Sequence, residues 1–236
     1  MDYFLYMIGV IFVMVWSMIV QANLKSKVRK GSDIRAGSGK TANQVVEEML
    51  LSHDIHGITI EHKPGQLTDC YSPKEGKIYL SDTTYGRDSI TAIAIAAHEA
   101  GHAVQDSENM PIYELRQFMA PAVGVASRLG PIIVIIGVLL SAYTARANSD
   151  IGYAISTIGI VVYFIAFLFY LVMLPVERNA SSRAYKDMKE YGWVSSDQLS
   201  LAHKLLRAAG DTYAVALASS AVTLLRLLAI RGGRRR

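Results

Sequence analysis

The run of residues 92–105 carries three side chains whose types and spacing could do chemistry: His98, Glu99 and His102, in the order H-E-x-x-H. On a helix, side chains four apart lie one above the other, so the two imidazoles can grip a single cation. Glu99 projects one residue further round, where a carboxylate can take a proton from a metal-activated water instead of binding the metal. That chemistry is metal-assisted hydrolysis, with zinc as the expected ion. Alanine-rich flanks favour helix, Gly101 lets another backbone or a ligand come close, and the run is too apolar for an exposed face. A buried His-Glu-His set needs a partner. The plain alternative is three polar residues meeting by chance on a solvated helix, and the apolar flanks argue against it.

The rest of the chain must position this helix. With 236 residues and 51% hydrophobic content, it fits a small soluble domain joined to a membrane part. The net charge of +4 comes largely from basic clusters beside apolar segments, which points to an anionic membrane face, and no nucleic-acid motif appears. The single cysteine, Cys70, excludes an intrachain disulfide and any C-x-x-C zinc cluster, in keeping with a reducing compartment. Residues 3–22 are apolar and uncharged, about the 20 that a membrane helix needs. Asp2 precedes them and Lys25, Lys27, Arg29 and Lys30 follow, a pattern of an anchor (1–24) rather than a cleaved signal. The basic flank sets the amino terminus outside and the following chain in the cytoplasm.

Residues 25–117 read as a cytoplasmic, zincin-like part. Gly37-Ser38-Gly39-Lys40-Thr41 imitates a phosphate loop, but Ile34 stands where the first glycine is required. Thr41 and Gln44 instead form a capping box for a helix over 42–52, packed through Val45, Val46, Met49 and Leu50. Residues 58–62 and 77–81 alternate like strands around the turn-rich 72–76, which predicts a small antiparallel hairpin able to pair with an extended substrate backbone. His53, His56 and His62 have no spacing rule that assembles them into a second metal site. Ser89 or Asp88 caps the histidine helix, which ends before Pro111.

Residues 118–176 are expected to form a transmembrane hairpin. It has an apolar run over 120–145 broken by Arg128 and Pro131, an external loop at 146–150, and a return over 151–174. Arg178, Arg183, Lys186 and Lys189 then restore a positive cytoplasmic flank. Residues 177–210 read as cytoplasmic helices ending at Gly210. Residues 211–236 form an apolar segment with a basic tail, expected to pack along the domain or enter the membrane only partly. The fold class is mainly α with a small antiparallel β-hairpin: an integral-membrane, zincin-like protein with about three transmembrane helices.

Leu67-Thr68-Asp69 with Tyr71 and Pro73, residues 78–81, residues 93–105, and Leu174-Pro175-Val176-Glu177 followed by Ala180, Ser181 and Arg183 together carry a resemblance. Over nearly its full length the chain resembles the bacterial membrane-bound neutral zinc metallopeptidases of the YugP type. The resemblance implies a membrane-embedded peptidase with one zinc per chain held by His98, His102 and Glu177, and with Glu99 as base. It is similar in plan to integral-membrane proteases whose third ligand is a glutamate in an E-x-x-x-D segment. Cys70, Ser72 and Arg178 depart from the His, Asp and aromatic residue that the resemblance leads one to expect.

The residues themselves favour the same third ligand. Asp106 and Glu108 lie at or beyond the end of the histidine helix, while Asp187 and Glu190 sit among Lys186 and Lys189, where solvated charge pairing is the ordinary reading. Glu177 follows an apolar span and Pro175, where a carboxylate wants a partner. Ser181, one turn on, could support a ligand by a hydrogen bond. His203 and Tyr185 are candidate oxyanion partners between which spacing does not choose. The expected activity is zinc-dependent endopeptidase cleavage at the cytoplasmic face of the cell membrane, with the lipid bilayer and a peptide or protein as partners. A catalytically inactive, zinc-stabilised scaffold would need four protein ligands. A channel or transporter would need more intramembrane ionisable groups than Arg128.

Overall fold

The computed structural model describes residues 3–143 and 149–232. In chain order the elements are α1 (Tyr3–Ser32), α2 (Ala42–Ser52), β1 (Thr59–His62), β2 (Cys70–Ser72), β3 (Lys77–Leu80), α3 (Ile90–Ser107), α4 (Pro111–Tyr143), α5 (Ser149–Glu190) and α6 (Leu199–Gly232). They fall into two compact units. One comprises the described parts of Met1–Met18, Leu115–Leu174 and Tyr213–Arg236; the other comprises Ile19–Glu114 and Pro175–Thr212.

The second unit is built around α3. Ser89 Oγ accepts the Ala92 N–H at 3.2 Å, satisfying one of the free donors at the helix start. Thr41 and Gln44 cap α2 reciprocally: Thr41 Oγ1 accepts from Gln44 N at 3.4 Å and Gln44 Oε1 accepts from Thr41 N at 2.9 Å. The expected α2 face, Val45, Val46, Met49 and Leu50, is buried. It packs in one core with Ile78 and Leu80 of β3, Ile90 and Ile93 of α3, Met188 of α5, Trp193, and Leu205 of α6. Because core surrounds α3, its alanines Ala94, Ala96, Ala97 and Ala100 are all buried, and neighbouring elements can approach its backbone closely.

The sheet differs from the expected antiparallel hairpin. It has three strands in the order β1-β3-β2, with β1 parallel to β3 and β2 antiparallel to β3. The turn-rich stretch after Ser72 does close an antiparallel hairpin, but between β2 and β3. The connection after β1 turns the chain through Gly65 and Leu67, both at positive φ, so β2 runs back and β3 returns in the direction of β1. With only three residues, β2 carries too little alternation to announce itself in sequence.

The first unit holds the described residues of α1, α4, α5 and α6 that fall in its three segments. Among the described residues, four helices are long and apolar enough to cross a membrane, within α1, α4, α5 and α6, against about three expected. The helix thought to end at Gly210 does not end there: α6 runs from Leu199 to Gly232. Gly210 is not among the glycines at positive φ, the conformation a glycine stop requires. The expected loop at 146–150 falls largely on 144–148, outside the described residues.

Antiparallel α4 and α5 touch backbone to backbone. A Cβ placed on Gly137 would lie 2.4 Å from Ser156 N, and one on Gly159 would lie 2.6 Å from Val134 N. Gly130 and Gly152 are equally tight, against Tyr163 and Ser141. Small residues let helix axes approach where lipid offers no hydrophobic drive to associate. At the far end of α6, Arg231 Nη1 donates to Thr157 Oγ1 at 3.0 Å and its guanidinium lies 5.0 Å from the centroid of the Tyr153 ring, both in the first turns of α5. Gly137→Leu is expected to lower the stability of the full chain in detergent by about 1–3 kcal/mol through overpacking. Gly124→Leu, where nothing lies within 4 Å of an added Cβ, is expected to leave it unchanged. Denaturant titration of the two variants checks this, and equal midpoints would contradict the close approach.

Candidate metal centre

The site begins with a missing side chain. A Cβ on Gly101 would lie 2.9 Å from the Ala180 carbonyl oxygen, so only hydrogen at this position lets α5 cross α3 at this depth. The crossing lies between His98 and His102 on one helix and between Glu177 and Ser181 on the other. Glu177 Oε2 is 3.2 Å from His98 Nε2, and its Oε1 is 3.6 Å from His102 Nε2. Ligand-type atoms of His98, His102 and Glu177 all lie within 4.8 Å of one another. Glu177 is 2% exposed, and among the described residues its carboxylate meets only these two imidazoles.

The outer ring nitrogens are also engaged. Ser181 Oγ lies 3.2 Å from His98 Nδ1, and Gln105 Oε1 lies 2.9 Å from His102 Nδ1. The Tyr113 ring stacks on His102 at a centroid distance of 6.0 Å. Both Nε2 atoms are thereby turned toward Glu177. Two imidazoles and one carboxylate form a donor set that would suit zinc.

Glu99 stands beside this set without joining it. Its Oε2 accepts the backbone N–H of Tyr71 in β2 at 3.0 Å. The Tyr71 hydroxyl in turn donates to Asp106 Oδ2 on α3 at 2.8 Å. Burial, followed by the hydrogen bond to Asp106, pushes that hydroxyl well above the ordinary tyrosine range, so it stays a donor. The strand facing the histidine helix is therefore β2, an edge strand, rather than residues 58–62.

Tyr185 and His203 meet each other, with ring centroids 4.8 Å apart; among the described residues neither bonds to His98, His102 or Glu177. Cys70 Sγ takes a hydrogen bond from Lys63 Nζ at 3.5 Å. His53, His56 and His62 pair separately with Asp187, Asp54 and Asp82. Asp187 corrects the expectation of solvated charge: it is 4% exposed and fastens α5 to the end of α2 through His53 at 2.8 Å. Glu108 is clamped by Arg183 at 2.7 and 2.6 Å, which holds its carboxyl below the usual range. Sequence reasoning missed Gln105. The available signal was a polar residue three positions after His102 on an otherwise apolar helix.

The family described as "Putative neutral zinc metallopeptidase" matches residues 6–232. The chain belongs to this family. A relative in Bacillus subtilis (strain 168), named "Putative membrane protease YugP", is 34% identical over 210 residues, covering 89% of each chain. No solved structure matches.

The crossing makes a direct prediction. Gly101→Leu forces α5 away from α3, and denaturant unfolding of the metal-free chain should show a loss of about 1–3 kcal/mol. Unchanged stability would mean that α3 and α5 do not approach at Ala180.

Proposed function

We propose that the chain is a zinc-dependent membrane endopeptidase, with His98, His102 and Glu177 holding one zinc ion and Glu99 acting as general base. The observation that carries this reading is the buried Glu177 carboxylate facing two Nε2 atoms, with Glu99, next to His98 in the chain, bonded to Tyr71 and outside that group. Two imidazole nitrogens and a carboxylate that converge at this depth form a donor set that a divalent cation would complete. Three protein donors, rather than four, favour catalysis over a purely structural ion.

His98, His102 and Glu177 would hold the zinc ion, which would supply Lewis acidity for peptide hydrolysis. The chain supplies the remainder. The Tyr71 N–H anchors Glu99 Oε2, leaving Oε1 to take the proton of the attacking water and return it to the leaving amine. Tyr71, fixed to Asp106, holds the β2 edge beside the histidine helix, where an extended peptide backbone can be received.

Glu99→Gln is expected to keep the metal and abolish cleavage of an unstructured reporter peptide, because an amide preserves shape and takes no proton. Glu177→Gln is expected to lose both, whereas Asp187→Asn and Glu190→Gln keep bound zinc. Metal analysis and peptide cleavage in detergent, with and without chelator, decide; near wild-type turnover by Glu99→Gln would remove the proposed base.

In the bilayer we place the second unit on the cytoplasmic side, since Lys25, Lys27, Arg29, Lys30, Lys186 and Lys189 flank the apolar spans there. The contacts of Arg231 with the first turns of α5 favour a full crossing by α6, despite the basic tail, and hence both termini outside. In a Cys70→Ala background, Lys74→Cys, on the exposed turn between β2 and β3, should resist an impermeant thiol reagent added to intact cells but react once the membrane is permeabilised, and a carboxy-terminal epitope should be accessible from outside. Labelling at residue 74 from outside intact cells would overturn this orientation.

A further inference from the structure

A chain of hydrogen bonds behind the metal centre has only one consistent assignment. Arg183 Nε can only donate, and it lies 2.8 Å from Asn179 Oδ1, which must therefore be the oxygen of that amide. The Arg183 guanidinium is held in place by its two-pronged bond to Glu108 at the end of α3. Gln105 places one end of its amide 2.9 Å from this Asn179 oxygen and 2.9 Å from the backbone carbonyl of Val176. Both are acceptors, so that end is the NH2 group and its two hydrogens are both used. The other end, Gln105 Oε1, then faces His102 Nδ1 at 2.9 Å and can only accept.

We infer that Gln105 is a positioning residue that locks His102 in the Nδ1–H tautomer and so aims its Nε2 lone pair at the metal, with Asn179 and Arg183 fixing the direction of the Gln105 amide. This rests on the reading of His98, His102 and Glu177 as a metal site. It assigns functions to three residues outside the ligand set and separates the two histidines. Gln105 is fully buried, and its bond to His102 has one direction. His98 faces the Ser181 hydroxyl, which can donate or accept, so its tautomer is not fixed in the same way. A ligating histidine whose outer nitrogen is held by an acceptor is a more basic, better oriented ligand, and loss of such a partner typically lowers metal affinity about 10–100-fold.

The test uses the full-length protein in detergent or nanodiscs, with histidine ring nitrogens labelled by 15N and the His102 signals assigned by comparison with His102→Gln. In the metal-free wild type, His102 Nδ1 is expected to carry a hydrogen, whether or not Nε2, which faces Glu177, carries one too. Gln105→Leu is expected to release the tautomer and to weaken zinc binding about 10–100-fold in competition with a chromophoric chelator. Asn179→Asp keeps an acceptor for both Arg183 and Gln105, and it should preserve both the tautomer and the affinity. A wild-type His102 whose Nδ1 carries no hydrogen, or unchanged zinc affinity in folded Gln105→Leu, overturns the inference. The wild-type spectrum decides even if the leucine variant fails to fold. Absence of zinc binding by the wild type would instead sink the metal reading while leaving the tautomer result interpretable.

Discussion

The close crossing of α3 and α5 at Gly101 is the constraint on which the centre depends. Two helices carrying ordinary side chains keep their axes 8–10 Å apart, with their polar groups meeting only at side-chain tips. Here the Ala180 carbonyl oxygen occupies the place where a Cβ would stand, so Glu177 and Ser181 arrive one turn apart on the histidine face. The surrounding alanines Ala97, Ala100, Ala180 and Ala184 are all buried and keep the approach open on either side. The acid can then be both 2% exposed and within reach of two imidazoles. A buried carboxylate is tolerated because the same crossing provides its partners.

The second unit also shows how the ends of this crossing are tied. His53 at the end of α2 holds Asp187, and Glu108 just beyond α3 holds Arg183, so α5 is fixed at two levels beyond Glu177. Exposed ion pairs contribute little, but a bidentate arginine restricts direction as well as distance. The buried bond through Asp187 is the stronger tether, since loss of one partner leaves a polar group without solvent. Between them run Gln105 and Asn179, which hand the orientation of Arg183 on to His102.

What was legible in the sequence was local. The H-E-x-x-H spacing, the Thr41–Gln44 box and the Ser89 cap each depend on residues within one turn, and the helices they define stand where the spacing puts them. Glu177 was legible for a different reason, as an acid just beyond an apolar span. The sheet was not, because β2 has three residues and its place at the edge depends on a connection turned by Gly65 and Leu67. Nor was the continuity of α6: Gly210 reads as a stop in sequence, yet the glycine stop needs positive φ, and Gly210 keeps helical backbone within α6. The Gln105–Asn179–Arg183 chain joins residues 74 and 4 positions apart, and no spacing rule foretells the longer step.

Cys70 shows the same limit and bears on the donor set. The resemblance leads one to expect histidine at this position, and a thiolate there would be an obvious fourth ligand that closes the site. Strand geometry argues otherwise. Successive side chains of β2 point to opposite faces of the sheet. Tyr71 uses its face to reach Asp106 on α3, while Cys70, on the other face, meets Lys63. What β2 turns toward Glu99 is its backbone, through the Tyr71 N–H, and that group is the same whatever side chain precedes it. The side chain at residue 70 therefore stands outside the His98–His102–Glu177 group, and the bond from the Tyr71 N–H to Glu99 does not depend on it.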